Sequence, residues 1–330
     1  MKIRENVKIA ELTTMRLGGM ARYVIDIEKI EDVAEAYEFA KKHALATYVL
    51  GGGSNVIGRD EGFDGVILVD CLRGMEDLGE GRLRAFGGEL LDNFVVYGVE
   101  RGYSGMETLS GIPGTVGAAP VQSVGAYGSD ISQVLEEVEV YDQAVGSVVK
   151  IATDEMKLGY RESIFNRGDN VGRYFIIAVT VRLHKGELVP PFYTSLQKYI
   201  DEHDISDFSP ASVRRMVLAI RGEKLPDPAT VASAGSFFKN VYLDETEAEA
   251  AKAKGVPVWD GGKVPAGWLM ENAGLKGKEF FGFRVSDKAA LVLINERAES
   301  YADLARAREA IVGAVYAKFG YKLEQEPVEI

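Results

Sequence analysis

Two stretches of this chain carry residue types that bind through the backbone rather than through side chains. The first is Gly51-Gly-Gly-Ser-Asn55. The second, Gly111 to Gly128, reads Gly-Ile-Pro-Gly-Thr-Val-Gly-Ala-Ala-Pro-Val-Gln-Ser-Val-Gly-Ala-Tyr-Gly and holds five glycines and two prolines. Where Cβ atoms are missing, main-chain N–H groups can converge on an anion or a flat ring. Ser54 and Asn55 add side-chain donors to the first stretch. Proline and glycine exclude a helix from the second. Its spaced apolar residues, Ile112, Val116, Val121, Val124 and Tyr127, ask for burial and so argue for an ordered loop. Tight turns between strands are the plain alternative, and the presence of two such loops favours binding.

The elements that must position these loops are legible around them. Residues 19–27 are β-branched and read as a strand, and Ile30, Val33, Ala34, Tyr37 and Ala40 then share one helical face. Thr47 to Leu50 is a short apolar strand running straight into Gly51, and Gly65 to Asp70 is another. The order invites a dinucleotide-binding reading with Asp70 on the ribose. That reading fails, because Val56 occupies the third glycine position and Gly58, Gly62 and Gly65 break up the helix it needs. Beyond lie short strands near 82–86, a helix over 90–101 with Gly102 as its cap, strands at 134–141 and 147–151, and a strong strand at 174–183. Ser209 and Pro210 start a helix burying Val213, Met216, Val217 and Ile220 and ending at Gly222, with Arg214 and Arg215 on its solvated face. Ser300 caps a long helix closed by Gly320, and Tyr321 to Ile330 is extended.

Composition bounds the partners. Apolar content of 46% and charged content of 27% are those of a water-soluble globular chain, and a net charge of −12 argues against nucleic acid. An anionic ligand must then meet a local basic cluster or backbone amides. One cysteine, Cys71, and three histidines exclude a disulfide and make a metal site improbable. The first residues lack an apolar signal region, and no apolar run reaches the ~20 residues that span a bilayer. The expectation is a cytoplasmic monomer without metal, membrane insertion or nucleic-acid partner.

Six segments occur in a fixed order: Gly51 to Asn55, Ile112-Pro-Gly-Thr-Val-Gly117 through Gly125-Ala-Tyr-Gly128, Gly159-Tyr-Arg-Glu-Ser-Ile-Phe165, Lys224-Leu-Pro-Asp-Pro228, Ala234-Gly-Ser-Phe-Phe-Lys-Asn240 and Ala266-Gly-Trp-Leu269. Together they resemble the UDP-N-acetylenolpyruvoylglucosamine reductase family. The resemblance implies an α+β chain: a vanillyl-alcohol-oxidase-type (PCMH-type) FAD-binding domain of two lobes, at 1–70 and 71–208, and a C-terminal α+β substrate-binding domain at 209–320. Residues 321–330 would return to the active site. It further implies an oxidoreductase of peptidoglycan synthesis, and so of cell wall biogenesis, cell shape and the division cycle. In such an enzyme NADPH reduces a non-covalent FAD, and a sugar-nucleotide enolpyruvate then takes its place. Flavin contacts would come from Leu50, Gly51, Gly52, Gly53, Ser54 and Asn55, from Ile112, Gly114, Thr115, Val116, Gly117, Ala118 and Ala119, and from Gly125, Ala126 and Tyr127. Pro190 to Leu196 resembles the segment by which the family's longer subclass lays a tyrosine, here Tyr193, over the substrate.

An enol ether conjugated to a carboxylate accepts hydride at its β-carbon and throws negative charge onto the α-carbon and carboxylate. The site therefore needs a hydride source, cationic donors and an acid, and donors aimed at developing charge are usually the largest catalytic contribution. By the family match, Arg161 forks the carboxylate, Tyr160 sits beside it, and Ser236 protonates the α-carbon. Lys224 and Asn240 would bind the substrate with Arg221 and Lys239, and Lys263 stands nearby in sequence. The third catalytic member is a tail glutamate. Where the family reads Leu-Glu-Pro-Glu, this chain has Leu323-Glu-Gln-Glu326-Pro. Counting from the leucine selects Glu326, with Glu324 and Glu329 as alternatives, and the role requires a pKa raised by burial. Removing Leu323 to Ile330 is expected to spare flavin binding. Further departures are Ser123, Ser233 and Val241, where the family has Asn, Asn and Pro. Two other readings are an oxygen-dependent flavin oxidase of the same fold and a non-catalytic FAD subunit. The Lys224 and Ala234 motifs count against the first, and Arg161, Ser236 and Lys224 against the second.

Overall fold

The β-branched runs lie where their patterns require. Met20–Ile27, Phe63–Asp70 and Ala46–Leu50 form parallel neighbours, with Lys2–Lys8 added at the edge beside Met20–Ile27. Helix Ile30–Lys42 provides the crossover that parallel strands need. In this computed structural model, which describes residues 1–330, the strands and helix belong to the first of two units. Unit 1 comprises Met1–Val7, Ala21–Gly52 and Phe63–Glu223, and unit 2 comprises Lys8–Met20, Gly53–Gly62 and Lys224–Ile330.

Unit 1 also contains an antiparallel sheet in the order Ser147–Ala152, Leu135–Asp142, Tyr174–Arg182, Arg82–Phe86, Met75–Gly79. The central strand Tyr174–Arg182 reads as one apolar run because it is shared. Phe175 and Ile177 enter the core with Ile25, Val33 and Leu68, while Ile176, Val179 and Val181 enter another with Phe94, Val95 and Leu109. A third cluster joins Leu196 and Ile200 of helix Thr194–Glu202 to Val213, Met216, Val217 and Ile220 of helix Pro210–Lys224. Ser209 starts that helix, with Ser212 N–H on its Oγ at 3.4 Å, and the helix runs two residues past Gly222.

Unit 2 is organised on the antiparallel sheet Ser233–Ser236, Val292–Asn295, Phe283–Val285, Glu279–Phe280. Helix Tyr301–Phe319 packs Leu304, Ala307, Ile311 and Val315 into its core with Phe237, Phe238 and Leu269. Ser300 Oγ accepts the Asp303 N–H, and Gly320 closes the helix at φ 80°. The tail pairs twice within this unit: Gln325 bridges Phe238, and Val328–Glu329 lies parallel to Val56–Ile57.

One local expectation is corrected. The long glycine stretch holds one helical turn, Ala118–Val121. Pro120 is tolerated there because first-turn N–H groups have no intrahelical acceptor. Helices Thr194–Glu202, Glu245–Ala253 and Ala266–Asn272 are further elements that the sequence analysis does not name. For Glu245–Ala253 a signal was present, since Asp244 and Glu247 form a reciprocal capping box.

Candidate active site

The glycine loops begin from close backbone approach. In unit 1 the second loop is tied to residues 87–91 by Gly117 N–H to the Gly87 carbonyl at 2.7 Å, Val116 N–H to Glu89 at 2.8 Å and Leu91 N–H to Gly114 at 3.1 Å. Gly114 has φ 120°, which side-chain-bearing residues rarely adopt. Gly51 and Gly52 lie against this loop. A Cβ on Gly51 would sit 2.4 Å from Thr115 Oγ1, and one on Gly52 would sit 3.1 Å from Gly114 Cα. Thr115 Oγ1 is buried and has no hydrogen-bond partner. Such a hydroxyl costs about 1–3 kcal/mol when left unpaired, so its position fits a ligand oxygen. After Gly52 the chain enters unit 2 without a helix and pairs as the strand Val56–Ile57. Asp70 is buried, accepts the Leu72 N–H at 3.1 Å, and burial pushes its carboxyl up to about 8.

Arg161 stands at φ 59° in a tight turn where Gly159 and Glu162 exchange backbone hydrogen bonds. Asn166 Nδ2 donates to the Arg161 carbonyl at 3.0 Å, and Ser163 Oγ donates to the Val121 carbonyl at 2.8 Å. The Arg161 guanidinium reaches the Ser123 carbonyl at 3.5 Å and lies 5.4 Å from the Tyr160 ring centre. The Gly159–Phe165 motif is thereby pinned to the second glycine loop, and the cation is aimed by its own backbone.

Tyr127 and Tyr193 meet edge to face at 6.1 Å. Burial lowers the pKa of Arg221, which hydrogen-bonds Tyr127, and burial raises that of the Tyr127 hydroxyl. Arg221 also backs Gly111, where a Cβ would lie 2.9 Å from Leu218 Cδ2 and 3.2 Å from Arg221 Nε. The expectation for Arg214 is corrected. Its side chain is only 16% exposed and forks Asp92 at 2.5 and 2.8 Å, and Asp92 accepts the Gly111 N–H at 2.6 Å. Arg215, 70% exposed, does lie on the solvated face. No local signal in the sequence links Arg214 to a carboxylate 122 positions away.

Unit 2 brings the tail beside the serine motif. Glu326 N–H donates to the Phe237 carbonyl at 2.9 Å, one residue beyond Ser236, and Lys239 N–H donates to Glu324 O at 2.8 Å. Lys239 Nζ lies 3.9 Å from the Glu324 carboxylate, whose side chain is 76% exposed. Asn240 Oδ1 accepts Ala266 N–H at 3.0 Å and so fastens the loop to the start of helix Ala266–Asn272. Lys224 is exposed, and Lys263 Nζ lies 5.2 Å from the Trp259 ring centre. Glu329 is clamped by Arg59 at 2.5 and 3.0 Å and by Arg308 at 2.6 Å. Burial alone would raise its pKa, but hydrogen bonds from Tyr301, Arg59 and Arg308 hold it at about 2. That is the opposite of what an acid needs. The tail also touches the first glycine loop: Val328 N–H donates to the Asn55 carbonyl at 2.9 Å.

A model of FAD-binding domains matches residues 21–152, and a model of the C-terminal domain of UDP-N-acetylenolpyruvoylglucosamine reductase matches residues 227–330. The UDP-N-acetylenolpyruvoylglucosamine reductase of Alcanivorax borkumensis is 39% identical, covering 98% of this chain and 95% of its own. That of Pseudomonas aeruginosa is 34% identical, with 99% and 98% covered. A crystal structure of UDP-N-acetylenolpyruvylglucosamine reductase from Thermus caldophilus shares the fold, with a TM-score of 0.69 over 99% of both chains at 24% identity. The chain shares the α+β fold of that reductase, its N-terminal part contains an FAD-binding domain, and FAD is its cofactor.

Proposed function

This chain belongs to the UDP-N-acetylenolpyruvoylglucosamine reductase family, and from that premise we propose that it reduces UDP-N-acetylglucosamine enolpyruvate to UDP-N-acetylmuramate with NADPH as hydride donor. The setting is peptidoglycan precursor synthesis, with the enzyme working as a cytoplasmic monomer. No helix is long and apolar enough to cross a membrane. FAD, when bound, would supply the hydride-transfer chemistry that links NADPH to the substrate β-carbon. The glycine loops from Leu50 to Asn55 and from Ile112 to Tyr127 would hold it, and the close approach of Gly51 to the unpaired Thr115 hydroxyl supports that fit.

Around the substrate, Arg161 binds the carboxylate that gains charge, as a planar cationic fork. Lys224, Arg221, Lys239 and Asn240 take the sugar nucleotide, with Tyr160 and Tyr193 as apolar cover. Ser236 gives its hydroxyl proton to the α-carbon. Glu326 supports the enolate side, and it is favoured over its neighbours by elimination. Glu324 is exposed and faces Lys239, and Glu329 is held ionised by two arginines.

The observation that carries the reading is the Glu326–Phe237 hydrogen bond, which places the tail glutamate against the backbone that immediately follows Ser236. Anaerobic stopped-flow absorbance tests it. Ser236→Ala should leave bleaching of the flavin by NADPH near normal and slow its recovery with the enolpyruvyl nucleotide by roughly three or more orders of magnitude. Equal loss in both half-reactions would remove Ser236 from the proton step. Recovery of colour by oxygen alone would sink the reductase reading itself.

A further inference from the structure

The Gln325 carboxamide is held at both ends. Oε1 accepts from Arg308 at 2.7 Å, while Nε2 donates to the Pro327 carbonyl at 2.8 Å and to Glu329 Oε1 at 3.2 Å. Arg308 is anchored on helix Tyr301–Phe319, and the Glu329 it also binds is paired to Arg59. On the backbone, Gln325 sits opposite Phe238 in a bridge whose hydrogen bonds come from its neighbours, Glu324 O and Glu326 N. The N–H of residue 325 takes no part in that bridge, so proline there would remove none of its hydrogen bonds.

We infer that Gln325 is a positioning residue, whose clamp by Arg308, Pro327 and Glu329 sets the face on which the Glu326 carboxyl stands. Along an extended strand alternate side chains lie on opposite faces. A hold on residue 325 therefore fixes the rotation of the strand and directs residue 326 to the other side. A proline ring restricts the same backbone step covalently by locking φ. Here three hydrogen bonds hold that step, and the buried Pro327 follows Glu326. The inference rests on Glu326 being the tail acid.

The test uses the FAD-loaded enzyme and three variants, Gln325→Ala, Gln325→Pro and Glu326→Gln. Gln325→Ala should slow the substrate half-reaction by roughly 10- to 100-fold while leaving reduction by NADPH within about twofold. Amide hydrogen exchange over residues 324–328 should speed up in the same variant, and Gln325→Pro should return both readouts towards the parent. A Gln325→Ala enzyme with parental rate and exchange overturns the clamp, as does a Gln325→Pro enzyme no better than Gln325→Ala. Glu326→Gln separates the two levels. If it reacts at the parental rate, the assignment of Glu326 falls and the clamp's role falls with it. If it is slow while Gln325→Ala is normal, only the clamp is lost.

Discussion

Arg214 and Asp92 form a two-pronged ion pair at 2.5 and 2.8 Å, and the same Asp92 carboxylate accepts the N–H of Gly111, the first residue of the second glycine loop. A helix that reads as an ordinary amphipathic element thus holds the entrance of the cofactor loop. Arg214→Ala leaves Asp92 with the Gly111 bond alone. It should cost about 1–2 kcal/mol of stability and weaken FAD binding by roughly tenfold, read by flavin fluorescence titration. Arg214→Lys should not restore binding, because an ammonium cannot fork a carboxylate. Full restoration by lysine would show that only charge matters.

Thr115 makes a prediction of opposite sign in two states. Its Oγ1 is buried without a partner. Thr115→Val should therefore leave the apoprotein as stable or more stable, while weakening FAD by roughly tenfold as a ligand hydrogen bond is lost. Thermal melts with and without FAD measure both. A destabilised apoprotein with unchanged affinity would show the hydroxyl to be a packing group.

Gly51→Ala places a methyl 2.4 Å from Thr115 Oγ1, a contact too short to survive without movement of the loop. The purified variant should carry little FAD while keeping its circular dichroism spectrum. Full flavin occupancy would mean that the two loops separate at little cost.

Glu329 supplies a pH signature. Its carboxyl is held at about 2 in the folded chain, below its ordinary value of 4.5. A depressed carboxylate contributes stability that is present above about 4.5 and lost as pH falls towards about 2. Glu329→Gln should therefore lower the melting temperature at neutral pH, and the gap from the parent should close below pH 4.5. A gap that stays constant down to pH 3 would remove the ion pairs from the account (about one unit above the folded value).

Truncation now carries a different expectation. Removing Leu323 to Ile330 takes away the strand whose Val328 N–H holds Asn55 and whose Ile330 N–H holds Ile57 at 3.0 Å. The shortened protein should lose FAD as well as the substrate half-reaction. A truncation that keeps FAD at parental affinity would show the Asn55 contact to be dispensable.

What the sequence determined by itself is what short-range chemistry dictates. The glycines at 51–53 and 111–128 mark backbone approach, because only residues without Cβ tolerate it, and this is how the structure uses Gly51, Gly52 and Gly114. The helix starting at Ser300 and ending at Gly320 and the apolar strand Tyr174–Arg182 were likewise readable, since caps and β-branched runs act on their own residues. Three tail glutamates within six positions are chemically the same residue, and only their count from Leu323 ranks them in the sequence. Tertiary contacts give each a different setting: Arg59 and Arg308 hold Glu329 ionised, Lys239 faces Glu324, and Phe237 receives the Glu326 N–H. Arg214 was misread for the same reason, its partner lying 122 residues away. Backbone preference travels with the residue itself, whereas the partner of a charge depends on which distant segment the fold brings beside it.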